Sequence, residues 1–322
     1  LEEQHKKGEP FTFKFVELEI KDDLAYITIN RPEAMNALNP TVVGQLEEKF
    51  NEAEANPSVK AIVFRGAGKA FVAGADIKFF VDNIKNNTVD KTYAFTSKGH
   101  ELFLRFETSS KLTIALLDGL SLGGGSELAL ACQAIVATPQ GLLGFPETAI
   151  GIFPGLGALF RLRKHLGMEL AKYFIFTGKN IRAEEALELG IVTKLVQPAE
   201  VERAIREVAD GGKFDKYRPR EIPERYKEAV KAFSAENVER LLKGEAPEGV
   251  DSAFGEKLLQ ILAPKAPLAL KMSHELMEAQ KDVSTEEAIK LELDRLYEMF
   301  ALEDVLAGLQ SPPGRPPKYK GR

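Results

Sequence analysis

The sequence predicts an α/β fold that passes into an α-helical C-terminal region. Three observations carry this expectation. Up to about Pro198, apolar strand-like runs take turns with segments of helical periodicity, as an α/β architecture requires. Beyond Pro198 the strand signal stops, and amphipathic helical segments follow one another. The 322 residues, 44% of them hydrophobic, suffice for one large core or a core with an appendage.

Residues 1–12 form a polar leader that opens LEEQHKKGEP. It carries no apolar h-region, so no signal peptide is expected, and without an initiator Met it implies a trimmed or longer parent chain. FTFKFVELEI and DLAYITIN alternate in polarity around Lys21-Asp22-Asp23, which reads as a β-hairpin. Asn39 and Pro40 supply an N-cap and a first-turn proline for the helix TVVGQLEEKFNEAEA. VKAIVFRGAG is a buried strand ending in a glycine turn, and AGADIKFFVDNIK a turn, an Asp76 cap and a helix. The polar stretch Lys85 to Lys91 predicts a mobile loop, followed by a helix through about Phe106.

LTIALLDG reads as a strand, SELALACQA as a helix and AIVAT as a strand. GALFRLRKHLG and RAEEALELG are helices, and IVTKLVQP a short strand. Residues 13–200 therefore make the core. Residues 201–310 make a helical domain of ERYKEAVKAFS, AENVERLLKG, AFGEKLLQILA, PLALKMSHELMEAQ and a long final helix, STEEAIKLELDRLYEMFALEDVLAGL. The proline-rich tail 311–322, SPPGRPPKYKGR, is expected to be flexible.

The net charge of -5 is modest, which argues against nucleic acid or an anionic membrane as partner. No run approaches the roughly 18 apolar residues of a membrane span. A single cysteine, Cys132, excludes an intramolecular disulfide framework and points to a reducing, cytoplasmic setting. Its apolar neighbours make it a buried structural thiol. His5, His100, His165 and His274 stand at no metal-ligand spacing, so no metal is expected. RGAGKA would need glycine at Val63 and Ser or Thr at Ala70 to be a phosphate loop, and the G-x-G at Gly155 fails at Phe160.

Two glycine turns carry more chemistry. GLSLGGGSELAL (Gly119 to Leu130) contains G-x-S-x-G around Ser121, the pattern of a serine nucleophile elbow. No later histidine stands where a base would be presented, so the pattern reads as coincidence. Ala73-Gly74-Ala75-Asp76 and Gly123-Gly124-Gly125 each separate a strand from a helix. Each leaves N–H groups unpaired at the positive end of a helix dipole. Converging on one point, they would form a two-donor hole for a thioester oxygen becoming an enolate.

KAFVAGADIK (Lys69 to Lys78), LGGGSELALAC (Leu122 to Cys132), FPETAIGIFPGLG (Phe145 to Gly157) and NRPEAMNALN (Asn30 to Asn39) resemble the crotonase, or enoyl-CoA hydratase, superfamily. The resemblance runs from about Phe13 to Val196. It implies a crotonase-like spiral of ββα units with an α-helical C-terminal region, assembled as trimers or dimers of trimers. It places the oxyanion-hole N–H groups at Ala75 and Gly124, and CoA along Ala34, Met35 and Asn36 and along Ala73, Gly74, Asp76, Ile77 and Lys78. Leu122, Gly123, Pro146 and Gly155 complete the implied substrate site. Glu127 and Glu147 match the pair of hydratases, Glu127 as the water partner and Glu147 as the proton donor. Two nearby carboxyls resist joint ionisation, so they should titrate as a coupled pair with one held protonated.

The implied substrate is an acyl-CoA, with no cofactor beyond the CoA of the thioester. An acyl pocket is expected from Phe79 to Phe103 and the C-terminal helices. Between Val208 and Leu268 the chain resembles the insertion of 3-hydroxyisobutyryl-CoA hydrolases, which keeps thioester hydrolysis open beside isomerisation. Those hydrolases carry Asp where Gly155 stands and lack the acid at Glu127, so the site favours hydration. Similar units also occur fused behind a 3-hydroxyacyl-CoA dehydrogenase. A non-catalytic acyl-CoA-binding subunit is the reading from another class, which both glutamates disfavour.

Overall fold

The structure, a computed structural model, describes residues 13–218 and 220–322; the polar leader with His5 lies outside them. The chain opens with the expected hairpin, β1 (Val16–Lys21) and β2 (Leu24–Ile29), turned at Asp22 with φ 57°. Helix α1 (Pro40–Ala55) starts where the cap predicts: the Val42 N–H donates to Asn39 Oδ1 at 2.8 Å. Then follow β3 (Ala61–Gly66), β4 (Ala70–Ala73), α2 (Ile77–Lys85) and α3 (Val89–Thr108). The next turn of chain is β5 (Leu112–Leu117), β6 (Leu120–Leu122) and α4 (Gly124–Ala131). The third is β7 (Ala134–Ala137), β8 (Leu142–Gly144), a 3-10 turn Glu147–Ile150 and α5 (Ala158–Leu166). Helix α6 (Met168–Thr177), β9 (Ile181–Arg182), α7 (Ala183–Glu188) and β10 (Lys194–Leu195) close the core.

These repeats build two sheets at once. The first has the order β1-β2-β3-β5-β7-β10, parallel from β2 onward; the second has the order β4-β6-β8-β9. Each of the pairs β3/β4, β5/β6 and β7/β8 gives one strand to each sheet before its helix, so the chain winds as a spiral of ββα units. Phe50, Phe64 and Phe106 fill the space between α1, β3 and α3, with the Phe64 and Phe106 rings 4.4 Å apart. Cys132 is buried, as expected of a structural thiol, and burial pushes its pKa up to about 12.

Two expectations need correction. The loop expected from Lys85 to Lys91 shrinks to residues 86–88. Thr88 closes it by donating its N–H to the Asn83 carbonyl at 2.8 Å and its hydroxyl to Asn83 Oδ1 at 2.6 Å. The long final helix is broken into α13 (Thr285–Asp294), α14 (Leu296–Phe300) and α15 (Glu303–Leu309). Arg295, at the first break, is held by Glu275 and Glu298. Before these come α8 (Val201–Gly211), α9 (Lys227–Ala232), α10 (Ala235–Leu242), α11 (Ser252–Leu262) and α12 (Pro267–Ala279).

The proline-rich tail packs back on the molecule. The Tyr319 hydroxyl donates to the Ala149 carbonyl at 2.6 Å. Buried Asp304 accepts the N–H groups of Lys320 and Gly321 at 2.8 and 2.7 Å. No helix of the described residues is long and apolar enough to cross a membrane.

Candidate active site

Glycine decides how closely the two turns approach. A Cβ on Gly125 would overlap the Val72 carbonyl, so only glycine lets the start of α4 press against β4. A Cβ on neighbouring Gly124 would lie 3.9 Å from the Ala75 nitrogen, so the two turns are in contact at these residues. The Leu38 N–H donates to the Gly74 carbonyl at 2.9 Å, and the Asp76 N–H to the Leu38 carbonyl at 2.7 Å. This bridge leaves the intervening Ala75 N–H unused. Gly124 opens α4, so its N–H has no intrahelical acceptor and sits at the positive end of the dipole. Asp76 Oδ1 accepts the Lys78 N–H at 3.2 Å as the cap of α2, and its other oxygen pairs with Arg31 at 3.0 Å.

Glu127 lies one turn into α4 and is 2% exposed. Its Oε1 accepts two backbone N–H groups, from Leu156 at 2.9 Å and Ala158 at 3.0 Å. Glu147, 5% exposed, opens the 3-10 turn; its Oε2 is buried without a partner. A Cβ on Gly123 (φ 49°) would stand 2.9 Å from Glu147 Oε1, so this glycine makes room for the carboxyl.

Burial first, then the charge of Glu292, pushes Glu127 up to about 8; the N–H groups of Ala158 and Leu156 and the Arg161 charge pull the other way. Burial, then the charge of Glu127, pushes Glu147 well above the usual carboxylate range. The donor-rich Glu127 is thus the carboxyl that ionises first as pH rises, and Glu147 the one that holds its proton longer. The pair combines one potential base and one potential acid.

Arg161 and Glu107 stand behind Glu127. Arg161, fully buried, donates to Glu107 at 3.0 Å, and Lys216 Nζ lies 2.9 Å from the same carboxylate. Burial alone would raise Glu107, but the charges of Arg161 and Lys216 hold it near about 2. Lys216 Nζ also donates to the carbonyls of Leu130 and Cys132, at 2.8 and 3.1 Å, and so caps the C-terminal end of α4.

A cavity of about 450 Å³ lies over the two turns. Ala73, Gly74, Ala75, Ile77, Leu122, Gly123, Gly124, Glu127, Pro146, Glu147 and Gly155 line it, which brings most of the expected site together. Its walls are apolar: Phe80 and Phe95 from the expected stretch, and Leu296, Met299, Phe300 and Leu309 from α14 and α15. Ala34, Met35, Asn36, Asp76 and Lys78 do not line it. The Ala73 N–H donates to the Met35 carbonyl at 3.0 Å, so the first of these segments runs beside the site. Asn36 is 0% exposed; its amide donates to the carbonyls of Ala67, Ala70 and Phe71, a structural use of a residue expected to meet CoA.

Sequence reasoning missed the Leu156 and Ala158 N–H groups that hold Glu127, because backbone donors leave no signal in residue identity. It also missed Arg31, the partner of Asp76, and the tail residues Ser311 to Pro313 on the cavity wall. Ser121 is 0% exposed inside β6, and its hydroxyl faces Ser126 Oγ at 3.4 Å. The three described histidines pair elsewhere, His100 with Glu292, His274 with Glu239 and His165 against the Tyr217 ring. A strand-borne serine without a base is no nucleophile elbow.

Residues 24–312 match the profile of the family described as enoyl-CoA hydratase/isomerase. The chain is 40% identical over 194 residues to the short-chain-enoyl-CoA hydratase of Clostridium acetobutylicum, covering 60% of this chain and 73% of that protein. It is 30% identical over 307 residues to a probable enoyl-CoA hydratase of Bacillus subtilis, covering 95% of this chain and 98% of that protein. A carnitinyl-CoA dehydratase crystal structure from Mycobacterium thermoresistibile shares the fold, with TM-score 0.79 at 20% identity over 92% of this chain and 89% of that one. The fold, the two turns and a match that spans nearly the whole described chain converge: this protein belongs to the enoyl-CoA hydratase/isomerase family.

Proposed function

We infer that the chain catalyses the reversible syn-addition of water to a trans-2-enoyl-CoA, giving a 3-hydroxyacyl-CoA. The observation that carries the reading is the meeting, on one apolar cavity, of two unengaged backbone N–H groups with two carboxyls of unlike environment. The Ala75 and Gly124 N–H groups hold the thioester oxygen as it gains enolate charge; one such donor is worth ~3 kcal/mol in the transition state. Glu127, in its ionised form, orients water and takes its proton as the oxygen bonds to Cβ. Glu147 delivers a proton to Cα. Water, a base and an acid balance the reaction, so no redox group or metal is called for beyond the CoA of the substrate.

Ile77, on the cavity wall, and Lys78 after it are both exposed, and CoA would lie along them and along the Ala34 to Asn36 segment. A homotrimer or dimer of trimers, a cytoplasmic setting and association with a 3-hydroxyacyl-CoA dehydrogenase, which would consume the product, complete the proposal. Glu147→Gln keeps shape while removing the acid. It should bind acyl-CoA normally yet lower kcat for crotonyl-CoA hydration by about 10³-fold. Near-normal turnover overturns the assignment. Free CoA measured with a thiol reagent would move it to hydrolysis, and conversion of a 3-enoyl-CoA to isomerisation.

A further inference from the structure

We propose that Glu292, on α13, is a positioning residue for Glu127: it takes the Gly157 N–H and so fixes the turn whose flanking N–H groups hold the Glu127 carboxyl. The proposal rests on the hydration reading for its kinetic consequence, and on geometry alone for its structural one. Three consecutive N–H groups lead into α5. Those of Leu156 and Ala158 donate to Glu127 Oε1 at 2.9 and 3.0 Å, and the Gly157 N–H between them donates to Glu292 Oε2 at 3.1 Å. One turn is thereby shared between a carboxyl of the spiral core and a carboxyl of the C-terminal helices. Gly157 has φ 102°, and a Cβ there would overlap the Arg161 guanidinium, so this turn requires glycine.

Glu292 is itself held from several sides. It is 0% exposed; its Oε1 accepts from Gln280 Nε2 at 3.0 Å, and its Oε2 lies 3.1 Å from His100 Nε2 on α3. Gln280 is fixed in turn by donating to the Ala288 carbonyl at 3.0 Å. A carboxylate buried this deeply is costly unless its partners are well placed. An apolar residue here would fill the same helix–helix space but leave the Gly157 N–H unpaired.

The charge of Glu292 also acts on Glu127, second only to burial in raising its pKa. The other titratable groups around this turn are His100 and Glu107 on α3, Arg161 on α5 and Glu147 on the 3-10 turn. Arg161 opposes the effect of Glu292 and is itself paired with Glu107.

Glu292→Gln in the full chain tests the assignment, with the Glu127 carboxyl followed by ¹³C NMR titration alongside crotonyl-CoA hydration. The Glu127 titration should move down by about one pH unit. The kcat should fall about tenfold with KM within about twofold, since a neutral amide holds the Gly157 N–H less firmly than a carboxylate and Glu127 becomes a weaker base. A Glu127 titration and a kcat both at wild-type values overturn the proposal, even when thermal stability falls. Should Glu292→Gln not fold, Glu292→Asp keeps the charge but withdraws it from Gly157. It should lower kcat while Glu127 titrates near its wild-type pH, and an unchanged kcat again overturns the idea. A Glu127 titration that moves in Glu292→Gln, in a protein whose wild type hydrates no enoyl-CoA, counts against the hydration reading and leaves the role of Glu292 standing.

Discussion

Strands β4, β6 and β8 are three or four residues long, yet they set the two N–H groups over which the thioester oxygen would sit. Helices α14 and α15 give the same cavity Leu296, Met299, Phe300 and Leu309, all apolar side chains. The spiral core works through backbone, where an ångström is fixed by glycine contacts and parallel register. Helices α14 and α15 work through side-chain volume, which tolerates exchange. Placement of charge belongs to the first region and the shape of the acyl group to the second. Substitutions in the core should therefore cost rate, and substitutions on the cavity faces of α14 and α15 should redistribute it among substrates.

Gly125→Ala strikes the core hardest. Its methyl would overlap the Val72 carbonyl, so α4 must withdraw from β4 and carry Gly124 away from Ala75. Hydration should fall at least ~100-fold, the scale of one lost oxyanion donor, with a lowered melting temperature. Stopped-flow or steady-state rates on well-folded material check this; unimpaired kcat would show that the two turns need not touch.

The pH profile is the next largest effect. Glu127 must be ionised and lies near about 8, so kcat/KM should rise about tenfold per pH unit below that point. It should fall again once Glu147 loses the proton it delivers. The stability sign runs opposite on the acid side. Both carboxyls bind protons more tightly folded than unfolded, so their contribution is fully present below the ordinary carboxylate pKa. It is lost as pH rises from there through about 8. Thermal melts across this range, read beside the rate profile, test both signs together.

Phe300→Ala probes the helical region. It enlarges a wall already facing a cavity, so about 2–3 kcal/mol of stability should be lost, less than for a fully enclosed site. The ratio of kcat/KM for a long acyl chain over a short one should rise several-fold, measured on a series of enoyl-CoAs. Ser121→Ala closes the order. Its hydroxyl makes only a long contact to Ser126, so hydration should stay within about twofold of wild type.

Much of this division was legible beforehand. Asn39 and Asp76 announced their helices as caps, and the hairpin showed its alternation. The two glycine turns stood out as glycine runs between a strand and a helix, and the two glutamates through the resemblance to the family. The second sheet was not legible, because strands of two to four residues are shorter than any period they could display. Helix α6, MELAKYFIFT, is buried along nearly its whole length and shows no polar face to set a period. The breaks at Arg295 and Ala301 left no mark in the periodicity; Arg295 pairs with Glu275 of α12 as well as with Glu298 on the next turn.

Helix α4 spans eight residues, and its ends answer to different parts of the molecule. The leading end faces the cavity; the trailing end is closed by Lys216, from the segment that follows α8. Anyone transplanting this chemistry into another scaffold would be tempted to stop at residue 200, where the strands are finished. Such a graft would carry both turns and both glutamates but would leave the Leu130 and Cys132 carbonyls without their ammonium. The smallest portable unit is longer than the sheets suggest: it runs past Tyr217, whose hydroxyl holds Glu107 beside that lysine.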